Sequence, residues 1–151
     1  MVKKIIINHL NDVKIQRMLR IKPIMNIKIK DKLNFGIFPC KKISSIDSNV
    51  FNNLNKIEKI YLNYNLIKEI DSNLFKGLNN LEIIDLSNNK LESIPNHIFD
   101  GLVNLKEIWL NDNEISEIDS HLLNGLNNLE IIFLGSNKLE SIPNHLFDGL
   151  V

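Results

Sequence analysis

Tyr61, Asp85, Trp109 and Phe133 follow one another at intervals of 24 residues, and Tyr64, Asn88, Asp112 and Ser136 repeat that interval three positions later. The only tryptophan and both tyrosines of the chain fall in these two columns. Lys59 and Glu107 stand two residues ahead of the first column. Aromatic rings interleaved with single charges are the raw material of binding hot spots. They are not a bond-making set: no carboxylate pair, no nucleophile with a base and no phosphate-cradling glycine loop is apparent. Recognition, without catalytic residues, is the chemistry these columns can perform.

The remaining reactive side chains point the same way. His97, His121 and His145 share one position in successive repeats and are expected to stack on the outer side. Neighbouring imidazoles can bind zinc, but a closed site needs further ligands and second-shell support. The column is therefore read as solvated, with no metal and no cofactor. Asp71 and Asp119 alternate with Pro95 and Pro143 at one position, and all four read as turn formers. The single Cys40 cannot close an internal disulfide and reads as an inert thiol.

Elements that could hold such columns must recur as the columns do. From Ile57, apolar residues return at positions 1, 4, 6, 11, 14, 18, 19 and 22 of each 24-residue window: Ile57, Ile60, Leu62, Ile67, Ile70, Leu74, Phe75 and Leu78. Positions 4 and 6 alternate with polar or aromatic residues, the period of a half-buried strand. Positions 18, 19 and 22 have the looser spacing of a short helical or 3-10 turn. Gly77, Gly101, Gly125 and Gly149 follow at position 21, where the chain turns towards the next strand. Asn65, Asn89, Asn113 and Asn137 occupy position 9. A short amide there can satisfy backbone groups at a tight bend, so these four are expected to form a structural ladder. A fixed period of this length signals a solenoid of repeated supersecondary units.

The pattern resembles the leucine-rich repeat, in its 24-residue form with phenylalanine near the end of each unit (Phe51, Phe75, Phe99, Phe147). The likeness covers residues 33–151. The expected fold is an α/β repeat solenoid: a horseshoe with a parallel β-sheet on the concave face and short helical or 3-10 turns on the convex side. Five coils are expected, at 33–56, 57–80, 81–104, 105–128 and 129–151, the last truncated. The first coil departs from the pattern, with Gly36 in place of an aliphatic residue and Lys41 in place of the ladder asparagine, and is expected to be distorted. Leu123 interrupts the phenylalanine column but stays apolar. At the far end, Leu146, Phe147 and Leu150 are expected to line an uncovered face.

Charge divides the chain. Lys and Arg number 18, as do Asp and Glu, yet residues 1–32 hold nine basic residues against Asp12 and Asp31, a local net of +7. This stretch reads as a basic N-terminal leader or cap, with Ile27 and Ile29 alternating with Lys28 and Lys30 like an edge strand. It lacks the interleaved aromatics of a nucleic-acid binder, so no nucleic-acid partner is expected. No apolar run approaches the length of a membrane span.

Coils 81–103 and 129–151 agree at 19 of 23 positions. Three of the four differences fall on strand positions expected to face away from the core: Asp85/Phe133, Ser87/Gly135 and Asn88/Ser136. Change has accumulated where a ligand would be read. The expected function is non-enzymatic protein–protein recognition on the concave face, through Lys59, Tyr61, Tyr64, Asp85, Glu107, Trp109, Asp112 and Phe133. The alternative is a structural protein that self-associates through uncapped coils. The resemblance further implies part of a longer receptor or matrix protein, at the cell surface or outside it.

Overall fold

The structure is a computed structural model that describes residues 35–37, 43–148 and 150. Residues 1–32, Cys40, Lys41 and Gly149, for which the sequence raised expectations, lie outside the described residues. Five three-residue strands follow in chain order: β1 (Phe35–Ile37), β2 (Lys59–Tyr61), β3 (Ile83–Asp85), β4 (Glu107–Trp109) and β5 (Ile131–Phe133). They form one parallel sheet in the order β1-β2-β3-β4-β5. Each strand pairs with its neighbour at an offset of 24 residues, as in Tyr61 with Asp85 and Asp85 with Trp109. The sheet is open, so successive coils stack in sequence order without closing into a barrel. Gly36 does not prevent β1 from pairing in the same register, opposite Ile60.

The core is a stack of identical layers. In the three windows that begin at Ile57, Leu81 and Leu105, all eight apolar frame positions are buried. Phe51, Phe75 and Phe99 form the aromatic column, with the Phe51 and Phe75 rings 6.2 Å apart and nearly parallel. Leu123 takes the next place in that column and is buried too. The last window differs. Leu146 is buried rather than exposed, because position 18 points inward against the preceding coil, whereas Ile142 and Phe147 are each 44% exposed.

Turns replace helix on the convex side. After β2 the chain makes i→i−3 bonds from Leu74 to Asp71, Lys76 to Asn73, Leu78 to Phe75 and Leu81 to Leu78, at 2.9–3.2 Å. Such tight turns are used in short pieces, which suits a coil that must reverse direction within a few residues. Asp71 and Asp119 start them with an Asx bond, their Oδ1 accepting from the N–H of Asn73 and His121 at 2.8 and 2.7 Å. Pro95 and Pro143 start them with a preset φ instead, and there His97 and His145 adopt φ of +69° and +71°. Gly77, Gly101 and Gly125 lie at φ near +80°, the left-handed region that a side chain resists. Asn53 holds the equivalent place in the first coil, at φ +66°, a conformation asparagine tolerates better than most residues.

Candidate functional site

Bends rich in asparagine hold the strands in register. The Asn89 side-chain oxygen accepts the Ile67 N–H at 3.1 Å, and its amide nitrogen reaches the carbonyls of Leu62, Leu86 and Ser87 at 3.0–3.2 Å. Asn113 repeats the arrangement with Leu91, Leu86, Leu110 and Asn111. Asn137 does so with Ile115, Leu110, Leu134 and Gly135. Asn65 accepts from the Ile43 N–H and donates to Leu62 and Asn63. Each side chain thus ties its own bend to the previous coil. A second ladder went unread in the sequence: the amides of Asn80, Asn104 and Asn128 donate to the carbonyls of Asn55, Asn79 and Val103, at 2.6–2.8 Å. Their recurrence just before Leu81, Leu105 and Leu129 was the available signal.

The sheet's inner face follows from strand alternation. In β2, β3 and β4 the central residue is buried and its two neighbours are half-exposed, so the neighbours face outward together. One row, in register across the strands, is Tyr61, Asp85, Trp109 and Phe133. Beside it runs Lys59, Ile83, Glu107 and Ile131. The structure therefore brings six of the eight expected ligand-binding residues onto one surface. Ile83 and Ile131 add apolar area to it that the aromatic columns alone did not reveal.

Tyr64 and Asp112 are set apart from these six. The strands end at Tyr61 and Trp109, and residues 64 and 112 lie in the following bend, each at φ +55°. The chain must turn there to carry the ladder asparagine inward, which no strand conformation allows. Asn88 and Ser136 adopt the same φ, and asparagine and aspartate are the side chains that best tolerate it. Tyr64 is the bulky exception and stays 57% exposed at the rim of the face.

Polar contacts order the inner face. Asp85 Oδ1 accepts from the Ser87 N–H at 2.9 Å and its hydroxyl at 2.6 Å. The Trp109 indole N–H donates to Glu107 at 3.0 Å, and its ring lies 4.3 Å from that of Phe133, tilted by 38°. Lys106 reaches back to Glu82 at 2.9 Å. Burial pushes the Tyr61 hydroxyl's pKa up, and the charges of Glu107 and Asp85 push it further, so all three groups share one field.

Asp85 itself is raised above the usual carboxylate range, first by burial and also by Glu107, against the lowering effect of Ser87. A carboxylate with a raised folded pKa is harder to ionise in the folded chain than in the unfolded one. The resulting loss of stability is absent below the unfolded pKa and complete above the folded pKa. Asp85→Asn is therefore expected to raise Tm at neutral pH and to lose that advantage as the pH falls through the carboxylate range. The new amide oxygen can still accept from Ser87. Thermal melts at neutral and acid pH decide the matter, and an equal gain at both would rule out burial of charge as the cause.

The histidines are occupied separately. His97 and His145 pair with Asp100 and Asp148 at 3.0 and 2.7 Å, while His121 contacts Asp119 at 3.2 Å. All three imidazoles are more than two-thirds exposed. Among the described residues, no three metal-type ligands converge. No described helix is long and apolar enough to cross a membrane.

An open parallel-sheet solenoid with a half-exposed aromatic and acidic inner face is the architecture of a repeat-type interaction module. The Leucine rich repeat family model matches residues 39–83, 57–115 and 103–151. The chain belongs to that family, whose domains are in general protein-interaction modules without enzymatic activity. Among solved structures, it is similar to the leucine-rich repeat domain of APL1B, at 26% identity and TM-score 0.69 over 74% of this chain and 33% of that one. A TLR13–ssRNA13 complex matches at 28% identity and TM-score 0.67, over 72% of this chain and 15% of that one. An internalin from Listeria monocytogenes matches at 24% identity and TM-score 0.63, over 80% of this chain and 34% of that one. The chain thus spans about a third or less of these structures. No curated protein matches it.

Proposed function

We propose that this array recognises a protein ligand on its concave face, with Tyr61, Trp109 and Phe133 as anchors and Lys59, Asp85 and Glu107 setting charge complementarity. Tyr64 and Asp112 contribute from the rim. The observation that carries this reading is the Trp109–Phe133 ring pair, half-exposed on the last two strands of the sheet face with Ile83 and Ile131 beside it. Aromatic clusters of this kind, left open to water, are where interface energy concentrates. Among the described residues, the inner face and the positions that border it carry Glu58, Glu82, Asp85, Glu107, Asp112 and Glu130 against Lys59 and Lys106, a net of −4. That sign opposes a polyphosphate, so the RNA of the TLR13 complex has no counterpart in this proposal.

The proposal extends to context. A chain that spans a third or less of its structural neighbours fits a segment of a larger recognition protein, receptor-like and placed at the cell surface or outside it.

Random peptides displayed on phage and selected on the immobilised full chain supply the test ligands. Trp109→Ala is expected to weaken the best of them by about 2 kcal/mol or more, the loss typical of a central aromatic anchor. Titration calorimetry reads the change directly. Affinity that survives the substitution intact would remove the concave face from the proposal.

A further inference from the structure

We propose that the concave face contains a cation notch at Asp85 and Glu107, walled by Tyr61 and Trp109, which receives an arginine or lysine side chain of the protein partner. This deepens the reading above and rests on it.

Register places the four groups. Tyr61, Asp85 and Trp109 are neighbours on β2, β3 and β4, and Glu107 stands two residues before Trp109 on the same face. Adjacent parallel strands lie about 4.8 Å apart, so the two rings flank the Asp85 carboxylate at a spacing that leaves room for one planar group. Asp85 Oδ1 is engaged by Ser87, and no described hydrogen bond reaches its Oδ2. Glu107 is held by the Trp109 indole through one oxygen. Both carboxylates are thus oriented by neutral donors and neutralised by none.

Of the described cations nearby, Lys59 stands on the neighbouring strand of the same face without a salt bridge to either carboxylate, and the others are committed elsewhere. Lys106 is drawn to Glu82, on the side of β3 away from Asp85 in sequence, and Lys138 to Glu114. Among the described residues no lysine pairs with Asp85 or Glu107. A partly buried carboxylate without a counter-charge destabilises the free protein, and a bound cation removes that cost. Guanidinium answers the geometry best, because it pairs with carboxylates through two parallel N–H groups and stacks on aromatic faces.

The near-duplicate coil supplies an independent observation. Where β3 and its bend carry Asp85 and Ser87, the coil of β5 carries Phe133 and Gly135. The carboxylate and the hydroxyl that orients it differ together, as a bonded pair would. One copy of the unit presents an oriented charge and the other an aromatic ring packed at a tilt against Trp109. Side by side, they make a face that is acidic at β3 and apolar at β5. The fitting partner is therefore a loop with a basic residue and an apolar residue about 10 Å beyond it, two strand spacings away.

The displayed-peptide selection tests this, again on the full chain. Selected binders are expected to be enriched in arginine or lysine, Asp85→Asn is expected to weaken them roughly tenfold or more, and high salt is expected to weaken the unsubstituted chain more than the variant. Asp85→Arg paired with an Arg→Glu change in the peptide should recover binding lost in either alone. Circular dichroism melts confirm that each variant is folded. Binders without basic residues, or binders indifferent to Asp85→Asn, overturn the notch. If those binders still depend on Trp109, the concave-face reading stands without it; if they do not, both fall. A synthetic peptide of residues 1–32, itself at net +7, is the control for an internal occupant. Its release by Asp85→Asn would replace the separate partner with this chain's own basic segment and overturn the proposal as stated.

Discussion

Asn89→Ala is expected to lower the free energy of unfolding by about 4 kcal/mol or more. The side chain is buried and serves four backbone groups: the Ile67 N–H and the carbonyls of Leu62, Leu86 and Ser87. Alanine leaves several of these without a partner in a place that water does not reach. Each unsatisfied buried group costs roughly 1–3 kcal/mol. The total is a large share of the 5–15 kcal/mol or so that holds an ordinary domain together. Asn137 makes the same kind of bonds but is only partly buried, so water can replace it. Asn137→Ala should cost far less. Urea unfolding of both variants gives the comparison, and equal losses would show that burial does not set the value of the ladder.

Phe75→Ala is expected to cost about 3–5 kcal/mol, the range for emptying a large buried ring. The ring is fully buried and stacks on Phe51, so its removal opens a cavity between two coils rather than within one. In a solenoid, stability is roughly the sum of each unit and its interfaces with neighbours, so a defect between coils weakens both. Phe147 holds the same frame position and is 44% exposed. Phe147→Ala should lower Tm by much less. If both substitutions cost the same, the aromatic column is not the inter-coil spacer that its stacking implies.

These expectations rest on features of unequal legibility. The apolar frame could be read because identical coils impose an identical inward set every 24 residues, and the eight frame positions are buried in all three windows from Ile57. The recurring asparagines at 65, 89, 113 and 137 were readable as bend residues, whereas their partners in the preceding coil were not. The second row of asparagines at 80, 104 and 128 does not stand out in the sequence because asparagine is common throughout the chain. Alternation extends the strands to Tyr64 and Asp112, because by itself it does not say where a strand stops. The strands stop after three residues, and the next alternating positions turn into left-handed bends.

By itself, the sequence determined the repeat, its period and the columns that residues share, because stacked units of equal length must pair like with like. A parallel sheet at an offset of 24 residues follows from that equality alone. Only the tertiary structure decided what happens along each row. Asp85 leans on Ser87, Trp109 on Glu107 and Phe133, and Lys106 on Glu82. Neighbours in a row come from different coils and differ in chemistry, so no single repeat contains the information. The inner face takes its character from those contacts between strands, and they exist only once the coils are stacked.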